Sequence, residues 1–366
     1  MYRVTLLIER ASHTSDALRF LQKRKGQEPS NTAHSRDKRS EDYLVKAFIR
    51  STWLPDAWNL LPKEMDVRIE VAGFHPLSGK DLAGRMRGEE VFITDEDKVN
   101  EAVLDSSKNL KIIGTPSAGL DHIDLEAATK HRIPVVYTPG ANADAVAEFT
   151  FGLILAASKR ILMGDSQLRR GMKHELESYK PLMGVDLKDK TIGIVGVGNI
   201  GSRVAMIARA FRMNVVLYDP AVLPTRLEQF GKVVELDELL QVSDFVTVHT
   251  PLTQETAHMF GTRQFGSMKS NALFVNTSRG KIVNEPDLVD ALKRRRIAGA
   301  ALDVQATEPL PVDSPLLKLD NVIVTPHIGS WTRETQGYCQ RLVEEEVIRF
   351  IKGQKMRYLA NPKALT

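Results

Sequence analysis

A single cysteine, Cys339, stands among the 366 residues, so no disulfide can form within the chain. A reducing compartment, the cytoplasm, is the expected setting. Long hydrophobic runs are also missing. The longest, FTFGLILAA from Phe149, is about half of the roughly twenty residues that a membrane-spanning helix needs. The first residues, MYRVTLLIER, have neither the basic start nor the apolar stretch and small-residue cleavage site of a secretion signal, and they read as a short strand. No 20–50-residue unit recurs, which excludes a solenoid. Charge of one sign is scarce, with a net +4 over the chain. The local surplus lies between Arg19 and Arg50, where nine Lys/Arg meet four Asp/Glu. That is no extended basic face, so nucleic acid is not an expected partner, and neither is a membrane.

What remains is a globular composition, 42% hydrophobic and 26% charged, on a chain long enough for two domains. Short β-branched runs alternate with helix-length stretches: RVTLLI (3–8), VRIEVA (67–72), EVFIT (90–94), LKIIG (110–114), PVVYT (134–138), TIGIVG (191–196), NVVLYD (214–219), DFVTVH (244–249), ALFVNT (272–277), GAALDV (299–304) and NVIVTP (321–326). Nearly continuous apolar strands of this kind belong to parallel sheets covered on both faces, an α/β class. Two longer helical patterns, about Asp144 to Arg170 with Asn142 or Asp144 as cap and about Thr332 to Lys352 stopped by Gly353, flank the second set of strands. They predict a middle domain (144–329) inserted into a discontinuous one (1–143 plus 330–366). The stretch from about 10 to 63 has the weakest pattern and reads as a polar, basic surface insertion in the first domain.

The sequence GVGNIG, residues Gly196, Val197, Gly198, Asn199, Ile200 and Gly201, follows a strand and opens the helical run SRVAMIARAF. Its first glycine permits a tight turn, its second lets a pyrophosphate approach the backbone, and its third lets helix and strand pack closely. Asp219 ends NVVLYD eighteen residues beyond Gly201, where a carboxylate can accept from a ribose hydroxyl and repel a 2′-phosphate. That selects NAD over NADP. Arg279, Glu308 and His327 each follow a predicted strand of the same domain, at the edge where open parallel sheets bind ligands. A planar guanidinium suits a carboxylate, a histidine titrates near neutrality, and a glutamate on its other nitrogen orients the ring and favours its charge. Together they suit reduction of a 2-oxo acid, with Arg279 holding the substrate and His327 giving the proton.

GVGNIG, VHTPLTQET, FVNTSRG, ALDVQATEP and TPHIG, in this order, resemble the D-isomer-specific 2-hydroxyacid dehydrogenase family, which includes phosphoglycerate, glyoxylate/hydroxypyruvate and phosphite dehydrogenases. The resemblance covers roughly residues 90–355 and takes in SAGLDHID (117–124) and TPGANADAVAEF (138–149). It implies a Rossmann NAD-binding domain inserted into a discontinuous flavodoxin-like substrate domain. It also implies Arg279, Glu308 and His327 as catalytic residues, and substrate carboxylate binding by the backbone of Ser117, Ala118 and Gly119. Cofactor contacts are implied at Thr250, Thr277, Ser278, Arg279, Asp303 (near the nicotinamide amide), His327 and Gly329. A homodimer, built on the helix from Asp144, is implied as well, and no metal.

Three departures stand out. The segment 10–63 lengthens the first connection of the substrate domain. Asp95 and Glu96 stand where phosphate-handling members carry a basic residue, with Lys98 the nearest cation. Trp331 replaces a small residue, where it either narrows the site or fills a core gap. The expected activity is NAD-dependent interconversion of a small D-2-hydroxy acid and its 2-oxo acid. A corepressor-like NAD(H) sensor is the alternative from another class, disfavoured by the intact Arg–Glu–His set. A phosphite-type dehydrogenase is the other alternative, disfavoured because residues 93–98 do not supply its lysine cleanly.

Overall fold

A computed structural model describes residues 4–8, 44–52, 58–72 and 76–366, the first of these as backbone only. The basic part of the expected insertion, residues 9–43, lies outside them. The chain divides into two compact units, Met1–Pro139 with Gly337–Thr366, and Gly140–Gln336.

The first unit holds a six-stranded parallel sheet: β1 (Val4–Ile8), β2 (Lys46–Ser51), β3 (Asp66–Val71), β4 (Val91–Thr94), β5 (Ile112–Gly114) and β6 (Val135–Val136), in the order β1-β3-β2-β4-β5-β6. From β2 onward this is the 2-1-3-4-5 order of a flavodoxin-like sheet, with β1 added beside β3. Here the reading of 10–63 as an insertion needs correction. Residues 46–51 are a central strand, paired with β3 on one side and β4 on the other. Ala47, Phe48 and Ile49 are fully buried, and Trp58 and Leu61 share an apolar core with Ala47 and Ile49. The strand escapes a reading by pattern because its fifth residue, Arg50, is a buried cation held by Glu70 and Asp97.

The second unit holds a seven-stranded parallel sheet: β7 (Thr191–Val195), β8 (Asn214–Tyr218), β9 (Lys232–Val233), β10 (Phe245–Val248), β11 (Leu273–Asn276), β12 (Gly299–Leu302) and β13 (Val322–Val324). Its order, β13-β12-β11-β10-β7-β8-β9, is the Rossmann order with a seventh strand, and it reverses direction of growth between β7 and β10. Strands β10 and β12 are buried along their whole length, as expected of a sheet covered on both faces. One face carries Phe260, Phe265 and Phe274, with ring centroids 5.0–6.3 Å apart. The other carries Val204, Ala205 and Ala208 of the helix Asn199–Ala210, packed with Ala147, Phe151 and Ile154 of the helix Ala143–Ser158.

The helical pattern expected as one piece from Asp144 to Arg170 is two helices, Ala143–Ser158 and Ile161–Arg169. The break falls at Arg160, in the left-handed region at φ 55°. The Ser158 carbonyl there accepts from Val185 N at 2.8 Å, and Gly184 passes so close that a Cβ on it would sit 2.6 Å from the same oxygen. The second pattern is one helix, Arg333–Ile351, followed by Gly353 at φ 65°.

Candidate functional site

The glycine turn has the shape that a diphosphate needs. Gly196 sits at φ 87°, and a Cβ on it would meet the backbone of His249 and Thr250 at 2.8 Å. A Cβ on Gly201 would lie 2.0 Å from the Gly196 carbonyl oxygen. Around Gly198, by contrast, a Cβ would meet nothing within 4 Å, so this glycine keeps open the space before the helix that starts at Asn199. That helix has no side chain capping its first turn, so its free N–H groups and positive dipole end face the same space. The turn lies at the reversal between β7 and β10, where sheets of this kind bind their ligand.

Asp219, past the end of β8, accepts from Val197 N at 2.8 Å through Oδ2 and from Ala221 N at 3.0 Å through Oδ1. It thereby ties β8 to the glycine turn, and each oxygen keeps a second lone pair for a hydroxyl. Past β10, Thr250 Oγ1 and His249 Nδ1 are buried without a partner among the described residues, while His249 Nε2 lies 3.0 Å from Thr247 Oγ1. Burial lowers the His249 pKa to about 3, so this ring is neutral. The sequence contained His249 within VHTPLTQET, yet nothing in the motif marked it as a buried neutral imidazole. Glycines that exclude side chains, a carboxylate on the turn and orphaned polar atoms beside it fit a dinucleotide.

The three polar residues from the ends of β11, β12 and β13 come together within the second unit. His327 Nδ1 lies 2.9 Å from Glu308 Oε2, and Glu308 Oε1 accepts from Gln305 N at 3.0 Å. The two side chains are 45% and 38% exposed. Burial disfavours a charged imidazole, but the hydrogen bond and charge of Glu308 outweigh it, and the pKa of His327 rises above 6.5. For Glu308, burial raises the pKa while the hydrogen bond and charge of His327 lower it, and the net shift is downward. The charge of Arg279 is felt at both.

Arg279 is set in place by Asn276, a fully buried residue that the sequence did not single out. Asn276 Oδ1 accepts from Ser278 N and Oγ at 3.0 and 2.8 Å, and its Nδ2 donates to Arg279 O at 3.0 Å. Thr277 Oγ1 lies 3.0 Å from Thr150 Oγ1.

Asp303, expected to contact the cofactor, is engaged with the turn that follows β13. It is 1% exposed, and it accepts from Thr325 Oγ1 (2.6 Å), Ile328 N (2.9 Å) and Gly329 N (2.8 Å). It is thus the brace of the turn that carries His327, whose own φ is 54°. Gly329 is needed for that brace, since a Cβ on it would meet Asp303 Oδ2 at 2.9 Å. Trp331 is 41% exposed, so it does not fill a core gap.

Ser117, Ala118 and Gly119 belong to the first unit, three to five residues past the end of β5. Ser117 O accepts from Thr138 N at 3.1 Å, and Gly119 N donates to Ser117 Oγ at 3.1 Å, so one of the three N–H groups is engaged within the loop. Among the described residues there is no cluster of side chains that could hold a metal ion, and no helix long and apolar enough to cross a membrane.

Residues 151–329 match the sequence pattern described as D-isomer specific 2-hydroxyacid dehydrogenase, NAD binding domain. A D-3-phosphoglycerate dehydrogenase of Archaeoglobus fulgidus is 43% identical over 274 residues, 75% of this chain and 51% of that one. A glyoxylate reductase of Thermofilum pendens is 39% identical over 315 residues, 84% of this chain and 91% of that one. The chain therefore spans about half the length of the first relative and nearly all of the second. Among solved structures, D-lactate dehydrogenase from Aquifex aeolicus, complexed with NAD and lactic acid, superposes with a TM-score of 0.74 at 31% identity, covering 84% of this chain and 96% of that one.

Proposed function

This chain belongs to the D-isomer-specific 2-hydroxyacid dehydrogenase family, a family of NAD-dependent oxidoreductases, and we propose that it interconverts a small D-2-hydroxy acid and its 2-oxo acid. The observation that carries the proposal is the His327–Glu308 pair at 2.9 Å, within the field of Arg279, at the ligand edge of an NAD-binding sheet.

The turn from Gly196 to Gly201, with the helix N-terminus behind it, holds the pyrophosphate, and Asp219 holds the ribose. Thr250, Thr277 and Ser278 line the same cofactor path. Bound NAD supplies the two-electron redox chemistry. Arg279 pairs with the substrate carboxylate and polarises the carbonyl. In the first unit, the Ser117–Gly119 loop offers backbone N–H groups of the kind that bind a carboxylate. His327 gives a proton to the substrate oxygen during reduction and takes it during oxidation. Glu308 keeps the ring oriented and raises its pKa, so more of it is protonated near neutral pH. A proton donor so placed is typically worth about 10²–10⁴ in rate.

A second copy of the chain is the partner we propose. Ile161, Leu162, Leu168, Leu176 and Met183, all between 161 and 183, are 53–79% exposed, an apolar surface that a dimer contact would cover. The lone buried Cys339 suits a reducing cytoplasm.

The test is NADH oxidation with glyoxylate, pyruvate and hydroxypyruvate, followed spectrophotometrically. His327→Ala should lose the activity and retain NADH binding. A folded, NADH-binding sample that turns over none of these acids would refute the proposal.

A further inference from the structure

The loops that carry Arg279, Glu308 and His327 leave three neighbouring strands, β11, β12 and β13. They meet at one residue that the proposed reaction does not use. Gln305 lies three residues past the end of β12 and is 6% exposed. Its backbone N–H donates to Glu308 Oε1 at 3.0 Å. Its side-chain Nε2 donates to Leu302 O and to Thr325 O, both at 3.2 Å. Thr325 O also accepts from His327 N at 3.0 Å, so the amide grips the chain two residues before the histidine. The Gln305 carbonyl meets the third loop: a Cβ on Gly280, the residue after Arg279, would lie 1.9 Å from Gln305 O.

The surroundings hold this junction still. Ala306 N donates to Glu285 Oε2 at 3.1 Å, at the start of the helix Glu285–Lys293 that follows the Arg279 loop. Asn276 fixes the other side of that loop through Arg279 O. A cavity lined by Asn276, Gly280, Glu285, Leu302 and Gln305 has room for about one water molecule, too little for the amide to swing into.

A primary amide suits the position. Its single nitrogen carries two donors, and it spends one on β12 and one on the chain past β13. A cation there would donate as well, but its charge would oppose a protonated imidazole.

We infer that Gln305 is a positioning residue for the proton donor, locking the His327 turn to Glu308 and to the Arg279 loop. This rests on the 2-hydroxy acid reading above and adds to it the residue that aligns its three catalytic groups.

Gln305→Met keeps the length of the side chain and removes both donors. Leu302 O and Thr325 O still accept from Thr325 N and His327 N, so no carbonyl is orphaned and the variant should fold, as urea unfolding will check. The charged groups around His327, namely Glu308, Arg279 and Asp303, are untouched. The first readout is the His327 imidazole titration by NMR without substrate, its signal assigned by its loss in His327→Ala. The second is the pH profile of kcat with glyoxylate, pyruvate or hydroxypyruvate, alongside KM and NADH affinity. In Gln305→Met the imidazole should titrate at lower pH, and the alkaline limb of kcat should move with it. The fall in kcat should be about tenfold, the worth of one or two neutral hydrogen bonds, with NADH affinity unchanged. Gln305→Asn, one methylene shorter, reaches at most one of the two carbonyls and should fall between. Added to Glu308→Gln, Gln305→Met should shift the titration no further, because both act through one contact. A purely structural residue would lower stability and leave the imidazole titration in place. That result, or an equal further shift in the Glu308→Gln background, overturns the inference and leaves the dehydrogenase reading standing. If no acid is turned over, that reading falls, and the NMR titration alone decides whether Gln305 positions the imidazole.

Discussion

Asp303 offers the sharpest test of how the histidine is held. Its carboxylate is buried, and it takes three hydrogen bonds from a five-residue turn: Thr325 Oγ1, Ile328 N and Gly329 N, at 2.6–2.9 Å. In Asp303→Ala the hydroxyl can turn to another acceptor, but the two backbone N–H groups cannot. Each lost bond to a charged acceptor is worth about 1.5–3 kcal/mol, so the turn should lose about 3–6 kcal/mol. The strain at His327, whose positive φ is of a kind that costs about 1–3 kcal/mol, then loses the side-chain brace beneath it. The ring should leave Glu308, and kcat should fall with it. Amide hydrogen exchange at Ile328 and Gly329 reads the loss locally, alongside urea unfolding and kcat. Asp303→Asn should fall between wild type and alanine, since either orientation of the amide sets an NH2 against one of the donors. Exchange at both amides within about tenfold of wild type in Asp303→Ala, together with unchanged kcat, would refute the brace.

Three further outcomes are expected. Glu308 raises the His327 pKa, so reduction of a 2-oxo acid is fully supported below that pKa and is lost as pH rises through it; in Glu308→Gln the alkaline limb of the pH–rate profile should move to lower pH, and an unmoved limb contradicts the pairing. Gly201→Ala places a Cβ 2.0 Å from the Gly196 oxygen, which should cost about 1–3 kcal/mol in the turn and weaken NADH binding in a fluorescence titration by about tenfold; unchanged affinity counts against that fit. Asp219→Ser should raise the NADPH to NADH ratio of kcat/KM while lowering NADH use itself, because Val197 N loses its acceptor; an unaltered ratio would free Asp219 from any role in choosing the cofactor.

The parts of this molecule that could be read from sequence are those where local chemistry carries the signal. Gly196 and Gly201 are glycines because a Cβ would strike neighbouring backbone, and the spacing of such glycines survives in the sequence. Arg279, Glu308 and His327 each follow a strand, so the topology of a parallel sheet gathers them once the strands are recognised. What escaped reading depends on partners far away along the chain. β2 was hidden because Arg50 interrupts its apolar run, and the residues that make a buried arginine tolerable are 20 and 47 positions further on. The helix after Asp144 was read as continuous because nothing at Ser158 announces that Val185 will take its carbonyl. Asp303 followed the same rule. Its motif marked it as important, but its three donors come from 22 to 26 residues further along, and they make it a brace of the catalytic turn. Asp95 is the extreme case, since its buried oxygen without a partner among the described residues shows only once the sheet is built. Dinucleotide binding is written in backbone shape, which is why residues 196–201 point to a pyrophosphate directly, while the carboxylate that narrows the cofactor, Asp219, is tied to that turn only by the folded sheet.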